Sequence, residues 1–148
     1  MFTERQSKYD DIFYLSENLR NEDIDELALL GFTPEKALKQ SYFNSEYCFT
    51  VICDKKPVAM FGAGRRNFTN NCKRASIWLL GTKNIEKNKT EFLRKSKKYI
   101  EFFKSKFDIL ENYIDVNNKK YIKWLKWLGF NFGRPFKYKN GQFIYFYL

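Results

Sequence analysis

Apolar residues along this chain change spacing several times, and the changes mark out the elements. From Asp10 to Leu19 they recur at helical intervals, which predicts a helix with Ile12, Phe13, Leu15 and Leu19 turned inward. A short strand, Phe2 to Arg5, precedes it. Asn21 can cap a second short helix, whose dipole suits Glu22, Asp23 and Asp25, and Gly31 ends it. Thr33-Pro34-Glu35 opens a third helix with Ala37, Leu38, Tyr42 and Phe43 on its apolar side. The texture then becomes β-rich. Tyr47–Cys53 and Val58–Gly64 flank the turn Asp54–Pro57 as a hairpin, and Arg65–Lys73 reads as a polar loop. Arg74–Leu80 is a third strand, stopped by Gly81-Thr82.

In the second half, Phe92, Ser96, Ile100, Phe103 and Phe107 lie on one face of a long helix, Lys89 to Phe107. Leu110–Val116 is a strand with the character of a buried central one. A helix over Asn117–Leu128 follows, closed by Gly129-Phe130. Phe130–Tyr138 and Gln142–Leu148 are strands around Lys139-Asn140-Gly141, where Asn-Gly is a strong hairpin signal. A meander followed by a strand–helix–strand unit predicts an α/β (α+β) fold: a mixed, mostly antiparallel central sheet with helices on both faces. The chain shows no repeat and no linker, so its 148 residues are expected to form a single domain, 1–148.

Composition narrows the chemistry. The chain has no His, so His-based bases, catalytic triads and the commonest metal ligand are excluded, and no metal site is expected. Cys48, Cys53 and Cys72 have no zinc-type spacing and read as buried free thiols. No stretch is long and apolar enough for a membrane span, and the first residues lack a signal-peptide core, which predicts a protein made in a cytoplasm. The net charge of +10 is divided: residues 1–54 carry 5 basic and 11 acidic side chains, and residues 55–148 carry 22 and 6. Such asymmetry fits a polyanionic partner, an acidic face meeting a basic one in an assembly, or a solvated Lys-rich surface.

The element order, with the segment Asp115 to Phe130, resembles the GNAT (Gcn5-related N-acetyltransferase) superfamily. Pro57-Val-Ala-Met-Phe-Gly62, Trp78-Leu-Leu-Gly-Thr82, Phe92-Leu-Arg-Lys-Ser96 and Asp115–Phe130 look closer still to one branch. That branch is the GNAT-like proteins of short-tailed bacteriophages, the internal core or internal virion protein A family. The resemblance runs from about Leu19 to Phe146. It implies an acetyl-CoA cleft whose walls are the third long strand and the helix after Asp115, with Leu80, Thr82, Lys83 and Asn118 as cofactor-binding positions.

Two departures weigh against acetyl transfer. Gly81–Thr90 has one Gly, at its start, where the family pattern has a Gly-x-Gly loop that cradles diphosphate on backbone N–H groups. Leu125 stands where many family members place a Tyr general acid; Tyr121 lies one turn earlier. Glu46 and Asp115 are the carboxylates nearest the expected cleft. No catalytic residue is therefore expected; were the chain active, Asp115 and Tyr121 would carry the chemistry. Tyr121, Leu125 and Leu128 form a core-facing stripe. Trp124, Trp127, Lys123 and Lys126 remain as candidate partner contacts, with one Trp buried and the other exposed.

The sequence thus leads to a virion or morphogenesis protein on a degenerate GNAT frame, acting through protein contacts in an oligomeric assembly. It would need no cofactor, would reside in the phage particle, and could touch packaged DNA through its basic side. The competing expectation is an acetyl-CoA-dependent N-acetyltransferase acting on a host protein or small amine.

Overall fold

The computed structural model describes residues 1–66 and 71–148. Part of the predicted polar loop, residues 67–70, lies outside the described residues. The elements run β1 (Thr3–Gln6), α1 (Asp11–Asn18), α2 (Asn21–Leu29), α3 (Pro34–Asn44), β2 (Tyr47–Cys53), β3 (Lys56–Arg65) and β4 (Arg74–Gly81). A 3-10 turn (Lys83–Asn88), α4 (Lys89–Lys106), β5 (Ile109–Asp115), α5 (Lys119–Trp127), β6 (Asn131–Phe132), β7 (Phe136–Tyr138) and β8 (Gly141–Tyr147) complete the order. The strands form one sheet in the order β1-β2-β3-β4-β5-β8-β6, with β7 also on β8. Every pairing is antiparallel except β4 with β5.

Central strand β3 is covered on both sides because its side chains alternate between two apolar layers. Met60 packs with Ile12, Leu15, Leu38 and Leu80 under α1–α3, while Ala59, Phe61 and Ala63 pack with Phe103, Phe107 and Leu110 beneath α4. Leu125 joins this second layer at 5% exposure, as the helical stripe predicts. The sheet is therefore mixed and mostly antiparallel, with helices on both faces.

Local chemistry explains most boundaries. Thr33 caps α3, its hydroxyl accepting the Lys36 N–H at 3.3 Å, with Pro34 in the first turn. Gly31 after α2 and Gly129 after α5 take positive φ, +84° and +98°, where a side chain would be strained. Other expectations needed correction. Asn21 lies inside α2, and Arg20 occupies the cap position. The strand expected over Phe130–Tyr138 breaks into β6 and β7 across Gly133-Arg134-Pro135, where proline has no N–H for a ladder. Phe13 and Phe43, expected on apolar helix faces, are exposed.

Gly62 shows how closely the meander packs. A Cβ there would run into the Tyr47 carbonyl oxygen and crowd the 2.8 Å hydrogen bond that Trp78 Nε1 donates to Ser45 Oγ. Gly62→Ala is expected to cost about 1–3 kcal/mol through overpacking, read as a lower urea midpoint with unchanged slope.

Candidate functional site

β4 and β5 start side by side and then part. Their ladder holds only Arg74–Ile109, Ala75–Leu110 and Ser76–Glu111. Arg74 and Glu111 pin this end with an ion pair at 3.1 Å, and Asn112 Nδ2 reaches the Ile77 carbonyl at 2.6 Å. Beyond that point β5 stays with β8 as far as Asp115, while β4 stays with β3 as far as Gly81. The wedge between them opens into a cavity of about 640 Å³ that passes through the sheet. Trp78, Leu79, Tyr113 and Ile114 line its strand walls. Glu26, Leu27 and Leu30 reach it from the α2 side, and Phe92, Tyr121, Trp124 and Leu128 from the α4–α5 side.

The far end of β4 is stitched to α2. The Arg20 N–H donates to the Gly81 carbonyl at 2.9 Å, and the Gly81 N–H donates to Asp23 Oδ2 at 2.9 Å. The Arg20 guanidinium donates to Asp23 Oδ1 at 3.0 Å and lies 4.2 Å above the Tyr121 ring. Both Arg20 and Asp23 are buried, at 3% and 1% exposure. A charged pair buried this deeply depends on these bonds.

One carboxyl in the wedge is chemically distinctive. Burial pushes the Glu26 acid up to about 7, helped by the charges of Asp23 and Asp115, against the hydrogen bond from the Asp115 N–H. That bond, to Glu26 Oε1, measures 2.7 Å. Asn118 stands beside the same carboxyl, but its buried Nδ2 falls outside hydrogen-bonding geometry with it. Tyr121 Oη and Trp124 Nε1 are also buried without partners. Burial, with Asp23 adding to it, drives the Tyr121 hydroxyl well above its ordinary range, so it stays protonated. Glu26 and Tyr121 thus face one cavity, an acid near neutrality and a hydroxyl that stays protonated, an arrangement suited to proton exchange.

The predicted site residues fare differently. Leu80, Tyr121 and Trp124 line the cavity. Asp115 does not line it; its Oδ1 accepts the Asn117 N–H at 3.0 Å and shapes the entry to α5. Glu46 pairs with Arg65 at 3.2 Å. Asn118 makes no side-chain cap. Leu80 belongs to the α1–α3 layer. Thr82 is buried, donating to the Val58 carbonyl at 3.1 Å and accepting the Asn84 N–H at 3.3 Å. Lys83 is exposed on the 3-10 turn. Trp127 is 48% exposed, while Trp124 is half-buried against Phe92, ring centroids 5.5 Å apart. Lys123 and Lys126 are exposed on α5. Glu26 was missed because it is one of four carboxylates on α2, and only the tertiary fold separates it from the others.

The connection from β4 to α4 is packed from within. The 3-10 turn puts the buried Ile85 side chain so close to Gly81 that a Cβ on that glycine would collide with it. In the first turn of α4, Asn88 Oδ1 accepts the Glu91 N–H at 3.2 Å. The Glu91 carboxylate in turn accepts the Phe2 N–H at 2.8 Å. A helix start that attracts an anion already holds one of its own side chains. The start of α4 is thus capped by its own Asn88, and the wedge beside it stays an open cavity.

A sheet that splays between its parallel strands, flanked by helices on both faces, is the architecture of the GNAT acetyltransferases. The GNAT domain of S. lividans PAT superposes with a TM-score of 0.75 at 13% identity, over 98% of this chain and 88% of that one. A spermidine N-acetyltransferase from Vibrio cholerae, in complex with CoA and spermine, gives 0.68 at 15% identity over 99% and 94%. A ribosomal-protein-alanine N-acetyltransferase from Brucella melitensis gives 0.70 at 12% identity over 99% and 98%. At these identities the likeness is one of fold. No curated protein matches by sequence. The model of one family, described as "Bacteriophage T7, probable scaffold protein Gp13", matches residues 64–137, half of the chain, and the chain belongs to that family.

Proposed function

We propose that this chain is a bacteriophage virion or morphogenesis protein: a GNAT frame that works through protein contacts and does not turn over acetyl-CoA. The observation that carries this reading is the start of α4, where Asn88 caps the Glu91 N–H, the Glu91 carboxylate accepts the Phe2 N–H, and the core residue Ile85 crowds Gly81, in place of the glycine-lined backbone cradle a diphosphate uses. The family's description as a probable scaffold protein supports it. Isothermal titration with acetyl-CoA is expected to give no heat up to about 1 mM ligand, an affinity weaker than about −4 kcal/mol. The protein is expected to copurify with intact particles at fixed copy number. Micromolar binding with turnover, and absence from particles, would overturn the proposal.

A second reading, N-acetylation of an amine, is favoured by Glu26. An acid near pH 7 in a wedge is suited to accept an ammonium proton, and Tyr121, held protonated, is suited to donate one. Turnover lost in both Glu26→Gln and Tyr121→Phe would select it.

A further inference from the structure

Part of the sheet has no helix over it. On one face α1–α3 pack against Met60 and Leu80 of β3 and β4 and stop short of the strands beyond, where Tyr113 of β5 is 46% and Tyr147 of β8 is 40% exposed. Residues two apart on a strand share a face, and Tyr113 stands directly across from Tyr145. The rings make one row. Tyr113 lies 5.4 Å from Phe136 and 5.5 Å from Tyr145, and Tyr145 stacks on Tyr147 at 5.3 Å with 18° between the planes. Isolated exposed rings are ordinary; a contiguous row of them marks a binding surface.

The charge around the row selects its partner. Arg66 and Arg74 stand at one end, joined where the Arg66 N–H donates to the Arg74 carbonyl at 2.9 Å. They share one carboxylate: Glu111 accepts from Arg74 at 3.1 Å and from Tyr145 Oη at 2.6 Å, and lies 4.0 Å from Arg66. That carboxylate is buried, while the two arginine side chains are 40% and 38% exposed, so the charge that meets water is positive. The contributing segments agree. Gly62–Leu80 carries four cations and Asn131–Leu148 three, with no acidic side chain in either. On β5 and its approach, Asp108 accepts the Lys73 N–H at 2.7 Å and Asp115 is buried. The exposed acids of α2, Glu22 and Asp25, gather beside Asp115 at the opposite end of β5 from the arginines.

Guanidiniums beside stacked rings suit a strand whose phosphates and base faces are both within reach. We infer that this open face binds single-stranded DNA, with phosphates at Arg66 and Arg74 and bases stacked on Tyr113 and Tyr147. A duplex keeps its base faces inside its own stack. With Glu111 engaged by Arg74 and Tyr145, the row keeps no carboxylate to select a ribose hydroxyl, so DNA suffices. The surface lies across the sheet from α4 and α5, and the inference does not depend on the protein contacts proposed above.

Fluorescence anisotropy of the whole chain with a labelled oligothymidylate of about twelve nucleotides tests this. Micromolar binding is expected at about 0.05 M salt, with a steep loss toward about 0.5 M. Tyr113→Ala and Tyr147→Ala are each expected to weaken it about five- to hundredfold, while Tyr147→Phe, which keeps the ring, binds as the wild type does. Arg66→Ala is expected to lower the slope of log affinity against log salt by about 0.7. Circular dichroism should show every variant folded. No binding up to about 0.1 mM protein would overturn the inference. So would a duplex bound as tightly as the single strand, or RNA bound more than about tenfold tighter than DNA. Binding lost in Lys97→Glu/Lys123→Glu and kept in Tyr147→Ala would move the site to the α4–α5 side and sink the assignment. Self-association through Tyr147 without DNA would give the face to a second copy instead. A protein that copurifies with particles and ignores single strands would remove this inference and leave the proposed function in place.

Discussion

Asp23→Ala is expected to destabilise the fold by about 3–5 kcal/mol, a large share of the roughly 5–15 kcal/mol that holds a domain together. The substitution strands the Arg20 guanidinium at 3% exposure above the Tyr121 ring and deprives the Gly81 N–H of its acceptor. Urea denaturation checks the size of the loss. The double change Arg20→Met/Asp23→Leu is expected to recover a substantial part of it, since two apolar side chains leave no uncompensated charge. A loss below about 1 kcal/mol in Asp23→Ala would mean that water already screens the pair, contrary to its burial.

Glu26 should give the other large effect, and its sign is opposite. Its acid sits at about 7 in the fold against an ordinary value of 4.5, so the folded state binds the proton more tightly. The stability this supplies is complete below the ordinary carboxylate range and is lost as pH rises through about 7. A displacement of that size corresponds to about 3 kcal/mol between the two ends of the window, as an order of magnitude. Glu26→Gln keeps an oxygen for the Asp115 N–H and cannot ionise. It is expected to match the wild type near pH 4, exceed it by about 2–3 kcal/mol near pH 8, and flatten the profile between. Chemical denaturation at three pH values tests this; parallel profiles for the two proteins would assign the pH dependence to another group.

The hydrophobic pattern made the frame legible, because a helical stripe and an alternating strand each leave a trace in the order of residues. The stripe Tyr121, Leu125, Leu128 placed α5 against the sheet, and Leu125 is buried there at 5% exposure. Phe13 and Phe43 misled for a related reason. A helix packed on one face of a sheet need not cover every apolar side chain, and only the packing of α1 on α3 shows which rings are left outside. The site was less legible. Glu26 looks like its neighbours until α2 is laid across the end of β4. Ile85 drew no notice within Gly81–Thr90; nothing in Lys83–Asn88 announces a 3-10 turn that lodges the side chain against Gly81. Asp115 attracted notice by its position at the end of a strand, and its Oδ1 serves the turn that follows.

The wedge between β4 and β5 is held open by its own arms. β3 and α2 keep one strand, β8 keeps the other, and the three-pair ladder at the hinge is locked by Arg74 and Glu111. None of these contacts is made by anything inside the wedge. The opening is therefore set from outside the gap, while its lining residues Ile114, Leu125 and Phe146 belong at the same time to the core. A single side chain there answers to two demands at once, filling the core and shaping the cavity, so the gap and the fold cannot be altered separately at those positions.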